Sequence, residues 1–211
     1  MPEPTTKRGK SAPRMAPEQR RQQVLDSALS VVVRGGYQAA TMQAIAREAG
    51  VTRPVVYEFY ADRDELLTDL FGREAEKALS VSVGLVPAVL SGTDLESLVE
   101  RSLTEFLQLV TDAPDTWRLM LMSATGAPES LRYIVQSGRA AILAQIRHNI
   151  SLLPKPFGAA DFDDELLATV AMSGSEAAAR MVLDHPAEFP AARLSDVVAW
   201  LMGQITIAWS T

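Results

Sequence analysis

The chain has 211 residues, 47% of them hydrophobic and 22% charged, with a formal net charge of −6 at pH 7. That content supplies a packed core in one or two compact units and excludes a disordered chain. The absence of cysteine excludes disulfides, thiolate metal sites and thiol redox chemistry.

The charge is not evenly spread. Residues 1–63 hold 10 Lys and Arg against 6 Asp and Glu, whereas residues 64–211 hold 10 against 20. A basic head on an acidic body suits a protein that docks one end on phosphate, although chance segregation gives the same split. The opening residues lack the apolar core of a signal peptide, and the first apolar run, Val31 to Val33, is far too short to span a bilayer. A cytoplasmic chain with no membrane partner is expected.

Residues 1–16 combine Pro2, Pro4 and Pro13 with Lys7, Arg8, Lys10 and Arg14, and carry too little apolar surface to order themselves. They read as a disordered basic arm, acting either as a solvated tail or as a source of phosphate contacts. From Pro17 to about Arg34 the residues Val24, Leu25, Ala28, Leu29 and Val32 recur at helical spacing, and Gly35-Gly36 supplies the stop. Thr41 caps a second, short helix that carries Ile45, Ala46 and Ala49 on one face and ends at Gly50. A third helix follows, with Thr52 as cap and Pro54 in its first turn, where no amide is needed.

A short capped helix, a tight turn and a second short helix make a helix-turn-helix. Val56 and Tyr60 should face helices one and two, which leaves Arg53 and Tyr57, also four apart, on the outer face. Arginine suits the guanine edge, tyrosine can bond phosphate, and Pro54 and Val55 offer apolar contact to thymine methyls. The competing reading is that Tyr57 packs on the fourth helix. That helix opens at Asp62, with Glu65 three residues on in a capping-box arrangement, and continues through Leu66, Leu67, Leu70 and Phe71 to the high seventies, with a break near Gly84 and Pro87.

Thr93 to Glu96 caps a helix reaching about Val110, and Pro114 opens another around Trp117 to Ser123. A long helix runs from Pro128 to about Leu152, ahead of Pro154 and Pro156. The last two span about Asp163 to Leu183 and Ala191 to Trp209. With no strand alternation or phosphate loop, the fold class is all-α. The expected layout is a three-helix head over 17–63, and a helical body over 64–211 for ligand binding and dimerisation.

The run Thr41-Met42-Gln43-Ala44-Ile45-Ala46-Arg47-Glu48-Ala49-Gly50-Val51-Thr52-Arg53-Pro54-Val55-Val56-Tyr57, followed by Glu58 to Leu67, resembles the DNA-binding signature of the TetR family of transcriptional regulators. The likeness covers about residues 17–75. It implies a two-fold homodimer on a double-stranded palindromic operator, with half-sites about 34–36 Å apart, and a small-molecule effector of unknown identity bound in the body. By position it implies that Thr41, Gln43, Thr52, Tyr57 and Arg63 lie at the DNA backbone or a base edge, and that Arg53, Pro54 and Val55 face bases. Phe59 stands where the family often has histidine. Tyr60 replaces the usual core phenylalanine, and its hydroxyl then needs a partner or a route to solvent.

In the body, Phe106, Trp117, Met120, Leu121, Tyr133 and Met172 form an adaptable apolar set for a small apolar or aromatic ligand, with Glu176 or Glu105 as an acidic handle. Ordinary core packing is the alternative for each. Val170, Gly174, Ala177, Ala178, Val197, Leu201 and Ile205 allow close helix approach and are assigned to the dimer interface, against the alternative of packing within one chain.

An enzyme is disfavoured. His148 and His185 lie on separate helices without metal-ligand partners, and no nucleophile or dinucleotide motif is present, so no cofactor and no metal is expected. A helical adaptor would leave Arg53, Tyr57 and the charge split unexplained. A DNA-binding regulator without an effector remains a competitor.

Overall fold

The computed structural model describes residues 15–82, 95–122, 129–151, 163–198 and 200. Among the described residues the regular secondary structure is all helical, with no strand. The helices are α1 (Pro17–Ala39), α2 (Met42–Glu48), α3 (Arg53–Tyr57), α4 (Arg63–Ser82), α5 (Leu95–Asp112), α6 (Pro114–Leu121), α7 (Glu129–Ser151) and α8 (Asp164–Asp184). Residues 191–198 are helical as well. The predicted arm with Lys7, Arg8, Lys10 and Arg14, the break at Gly84 and Pro87, the Thr93 cap, and Leu201 and Ile205 lie outside the described residues.

Local chemistry sets the helix ends of the head. Within α1 the regular helix breaks at Gly36, whose φ of 73° and ψ of 176° belong to a region that is essentially glycine-only. The Thr41 hydroxyl oxygen accepts from the Ala44 amide at 3.1 Å and caps α2. Gly50, at φ 64°, closes α2 in a Schellman arrangement: Val51 N donates to Ala46 O at 3.0 Å and Gly50 N to Arg47 O at 3.2 Å. Asp62 Oδ1 accepts from the Glu65 amide at 2.8 Å, and the Glu65 carboxylate reaches back to the Ala61 amide at 2.6 Å, which completes a capping box at the head of α4.

One expected cap fails. The Thr52 side chain makes no bond to the start of α3. Pro54 has no amide to donate, and the Val55 amide already bonds the Thr52 carbonyl at 3.0 Å, so the hydroxyl finds no donor in the first turn.

Two apolar cores stack along the chain. The first joins Val24, Leu25, Ala28, Ile45, Ala46, Val56, Tyr60 and the opening of α4 (Leu66, Leu67, Leu70, Phe71), and is closed by Leu119 and Leu131 from the body. The second gathers Ala78, Leu103, Leu107, Val110, Trp117, Ala179, Val182 and Leu183. Helix α4 runs from one core to the other, packing on α1 in the head and on α6 and α7 in the body.

Between the cores α4 buries a charge. Glu74 is fully buried. It accepts from Thr116 Oγ1 of α6 at 2.5 Å, from Arg73 Nε at 2.8 Å and from Lys77 Nζ at 2.9 Å. Arg73 in turn reaches Asp26 and Gln22 of α1 at 2.8 and 2.9 Å. Burial alone pushes the Glu74 carboxyl up, but the bonds from Thr116 and Lys77 and the charges of Arg73 and Lys77 outweigh it and hold the group below the usual carboxylate value. The polar chain ties α1, α4 and α6 together.

Candidate nucleic-acid interface

Helix α3 is five residues long and cannot hold itself as a helix, so tertiary packing must fix it. Val56 and Tyr60 do this from its inner side, and both are buried. The Tyr60 hydroxyl, which the sequence left in need of a partner, donates to Asp69 Oδ2 of α4 at 2.5 Å. Arg21 of α1 donates to the same oxygen at 2.8 Å, and its guanidinium lies 5.9 Å from the Tyr60 ring centre. Burial and the bond to Asp69 push the phenol far above its ordinary value, so it stays a donor. The end of α3 is pinned to both α1 and α4.

With the inner side fixed, the outer side is set by helical geometry. Arg53, Pro54 and Tyr57 are exposed and Val55 is half-buried. Tyr57 is 42% exposed, and the Arg53 guanidinium lies over its ring. Thr41, Gln43 and Thr52 are exposed at the start of α2 and of α3. Because Thr41 uses a lone pair in its cap, its hydroxyl proton is still available to an external acceptor. Arg63 is engaged within the head. It is half-buried, its Nη2 donates to the Tyr37 carbonyl just past the Gly36 break, and its Nε is buried without a partner. In this conformation it fastens the end of α1 to the start of α4.

In the body, the rings of Phe106 and Trp117 form a T-shaped pair with centroids 5.0 Å apart. Trp117 belongs to the second core, with Phe106, Met120 and Leu121 packed against it. Met172 is buried on α8, whereas Tyr133 is 72% exposed on α7. Glu176 is not free: Arg139 of α7 bonds it, and Arg180 lies 3.7 Å from its other oxygen. Two of the open depressions on the described surface lie away from the body's apolar set. One, of about 520 Å³, is lined by polar residues of α1 with Glu48, and the other, of about 580 Å³, by Gly72, Ala75, Glu76, Leu79 and Ser80 of α4. Neither is lined by the residues expected to hold a ligand.

Helix α8 buries Ala168, Met172, Ala179, Val182 and Leu183 and leaves Leu166, Leu167, Val170, Gly174 and Ala177 exposed on another side. Ala178 is half-buried, while Val197 and Trp200 stand in solvent. By length and composition α8 is apolar enough to cross a membrane, although one side of it is built into the body's core.

Comparison with known proteins meets this geometry at both ends. The family described as bacterial regulatory proteins, tetR family, matches residues 24–70, and a tetracyclin repressor-like C-terminal domain matches residues 95–208. The chain is similar to the HTH-type transcriptional activator FasR of Mycolicibacterium smegmatis, 31% identical over 114 residues, which are 54% of this chain and 49% of that protein. It is equally similar, 31% over 101 residues, to the HTH-type nicotine-responsive transcriptional repressor HdnoR of Paenarthrobacter nicotinovorans, covering 47% of this chain and 50% of that one. The matches span about half the length of these relatives. Among solved structures, a TetR-like transcriptional regulator from Rhodococcus sp. RHA1 superposes with a TM-score of 0.70 at 25% identity, over 89% of this chain and 97% of that one. With head and body both matched, the chain belongs to the tetR family of bacterial regulatory proteins, whose members are DNA-binding transcriptional regulators and not enzymes.

Proposed function

We propose that this chain is a sequence-specific transcriptional regulator that binds a palindromic operator as a homodimer and is released by a small apolar or aromatic effector. One observation carries the DNA reading: α3 buries Val56 and leaves Arg53, Pro54 and Tyr57 exposed on its outer side. Arg53 is suited to a guanine edge, Pro54 and Val55 to thymine methyls, and Tyr57, Thr41, Thr52 and Gln43 to backbone oxygens and a neighbouring base edge. Arg63 would join them by giving up the Tyr37 carbonyl.

The exposed apolar side of α8, with Val170, Gly174 and Ala177, together with Val197, supports dimerisation through a four-helix contact made by two helices of each subunit. Leu201 and Ile205 would extend it. Two-fold symmetry then requires a palindromic site.

The effector reading rests on the match of the body to a repressor-like C-terminal domain and on α4, which carries the head's core at one end and the body's at the other. A ligand entering among Phe106, Trp117, Met120, Leu121 and Met172 would shift α4 and change the spacing of the two heads. It needs only unequal affinity for the two arrangements. A regulator without effector is the second reading, favoured by the packing of these same side chains as core. A thermal-shift screen of apolar and cationic compounds separates the two, because a ligand at 100 times its Kd stabilises by about 2.7 kcal/mol.

Selection of bound duplexes from a random library, wild type beside Arg53→Ala, tests the DNA reading. A palindrome whose preference weakens in the variant is expected. The same unspecific pool from both proteins would remove the reading.

A further inference from the structure

Arg53 and Tyr57 stand one helical turn apart on the outer side of α3 and touch each other in two ways. Arg53 Nη2 donates to the Tyr57 hydroxyl at 2.8 Å. The guanidinium carbon also lies 5.3 Å from the centre of the Tyr57 ring, within the range of a cation–π contact. Among the described residues Arg53 has no carboxylate partner, and Tyr57 is what holds it.

The direction of the hydrogen bond matters. A guanidinium can only donate, whereas a phenol has one proton to give and lone pairs to accept with. By accepting from Arg53, Tyr57 keeps its own proton for an outside acceptor, and phosphate oxygens are acceptors only. Arg53 commits one of its five N–H groups and retains enough to bond two atoms of a base edge.

An arginine free in solvent samples many rotamers and can satisfy itself on phosphate or on several base edges. Discrimination between bases depends on presenting the planar fork in one orientation.

We propose that Tyr57 is a specificity-determining positioning residue: its hydroxyl donates to a backbone phosphate while holding the Arg53 guanidinium in the orientation that reads a guanine edge. One oxygen thereby links docking on the backbone to the choice of base. This rests on the reading of α3 as the DNA-reading helix, and the test is arranged so that the two can fail separately.

The experiment is a double-mutant cycle with the full chain, using Arg53→Ala, Tyr57→Phe and the double variant. Phenylalanine keeps the ring and the exposed surface, and circular dichroism with thermal melting checks that each variant is folded. Affinities are measured at one salt concentration on the palindrome that wild type selects, and on the same duplex with the G·C pair that Arg53→Ala ceases to prefer replaced by A·T. Wild type should discriminate by about tenfold or more, the range of a bidentate arginine–guanine contact. Tyr57→Phe should weaken binding to both duplexes and also cut the discrimination to about threefold or less. In the Arg53→Ala background, Tyr57→Phe should leave the remaining discrimination unchanged.

If Tyr57→Phe weakens both duplexes equally, and does so whether or not Arg53 is present, Tyr57 contacts phosphate alone and the proposal is overturned while the DNA reading stands. If Arg53→Ala loses no base preference, or wild type selects no palindrome, Arg53 is not a base reader and both fall.

Discussion

Replacing Glu74 by glutamine tests the polar chain between head and body. The wild-type carboxylate is fully buried and accepts from Thr116, Arg73 and Lys77. Glutamine keeps one acceptor oxygen: set on Arg73 and Lys77, which share Oε1, it turns its amide toward Thr116, and set on Thr116 it turns its amide toward both cations. Lys77 has a half-exposed side chain and can retreat to water at little cost. Arg73, 15% exposed, keeps Asp26 and Gln22 but loses its buried counter-charge. A hydrogen bond to a charged group contributes about 1.5–3 kcal/mol, so the substitution should cost about 2–3 kcal/mol at pH 7. For a chain of this size that lowers Tm by roughly 4–12 °C.

The pH dependence gives the sharper test. The folded-state value of Glu74 lies below its ordinary 4.5, so its contribution is complete above 4.5 and is lost as pH falls through the folded-state value. Glutamine does not titrate. The gap between wild type and Glu74→Gln in urea unfolding, at fixed protein concentration, should therefore be full at pH 7 and narrow below 4.5. A variant as stable as wild type at pH 7, or a gap that widens on acidification, would refute the reasoning.

Gly36→Ala should cost about 1–3 kcal/mol from backbone strain alone, because nothing lies within 4 Å of the added Cβ; an unchanged urea midpoint would contradict it. Thr41→Ala should lose about 1 kcal/mol with its cap, whereas Thr52→Ala, which caps nothing, should stay within about 0.5 kcal/mol and still weaken DNA binding. Equal melting shifts for the two would show that the caps are misassigned. Val170→Arg, at a side chain 58% exposed, should shift a dimer toward monomer in sedimentation velocity without lowering helix content; an unchanged sedimentation coefficient would take Val170 out of the interface.

The head was legible in the sequence because its signals are local. Thr41, Gly50 and the Asp62–Glu65 pair specify helix ends through their own backbone bonds, and four-residue spacing alone puts Val56 inward and Arg53 outward. At Thr52 two signals competed and the simple rule failed. Thr52 has the composition of a cap, but Pro54 and the Val55 backbone bond leave its hydroxyl without a donor. Arg63 bonds the Tyr37 carbonyl, which also accepts from the Ala40 amide at 3.3 Å, a tertiary contact across 26 residues that local spacing does not announce. Tyr60 announced that it needed a partner, but which residue would answer depended on the approach of α4 to α3. Glu74 was missed although a signal was present: Leu67, Phe71, Glu74 and Ala78 follow one another at three- and four-residue spacing, which places a carboxylate on a buried stripe. In the body, spacing marks which residues are apolar but not which gaps between helices stay open, so it does not separate pocket from core at Phe106 and Trp117, for which core packing is the better reading one by one.

The most direct test of the account is the affinity of the full chain for its selected duplex against a scrambled duplex of the same composition, at one physiological salt concentration. A sequence-specific regulator should bind the selected duplex at least about a thousandfold more tightly, and Arg53→Ala should shrink that ratio. Equal affinity for the two duplexes would mean that the basic head binds phosphate without reading sequence, and would contradict the central claim.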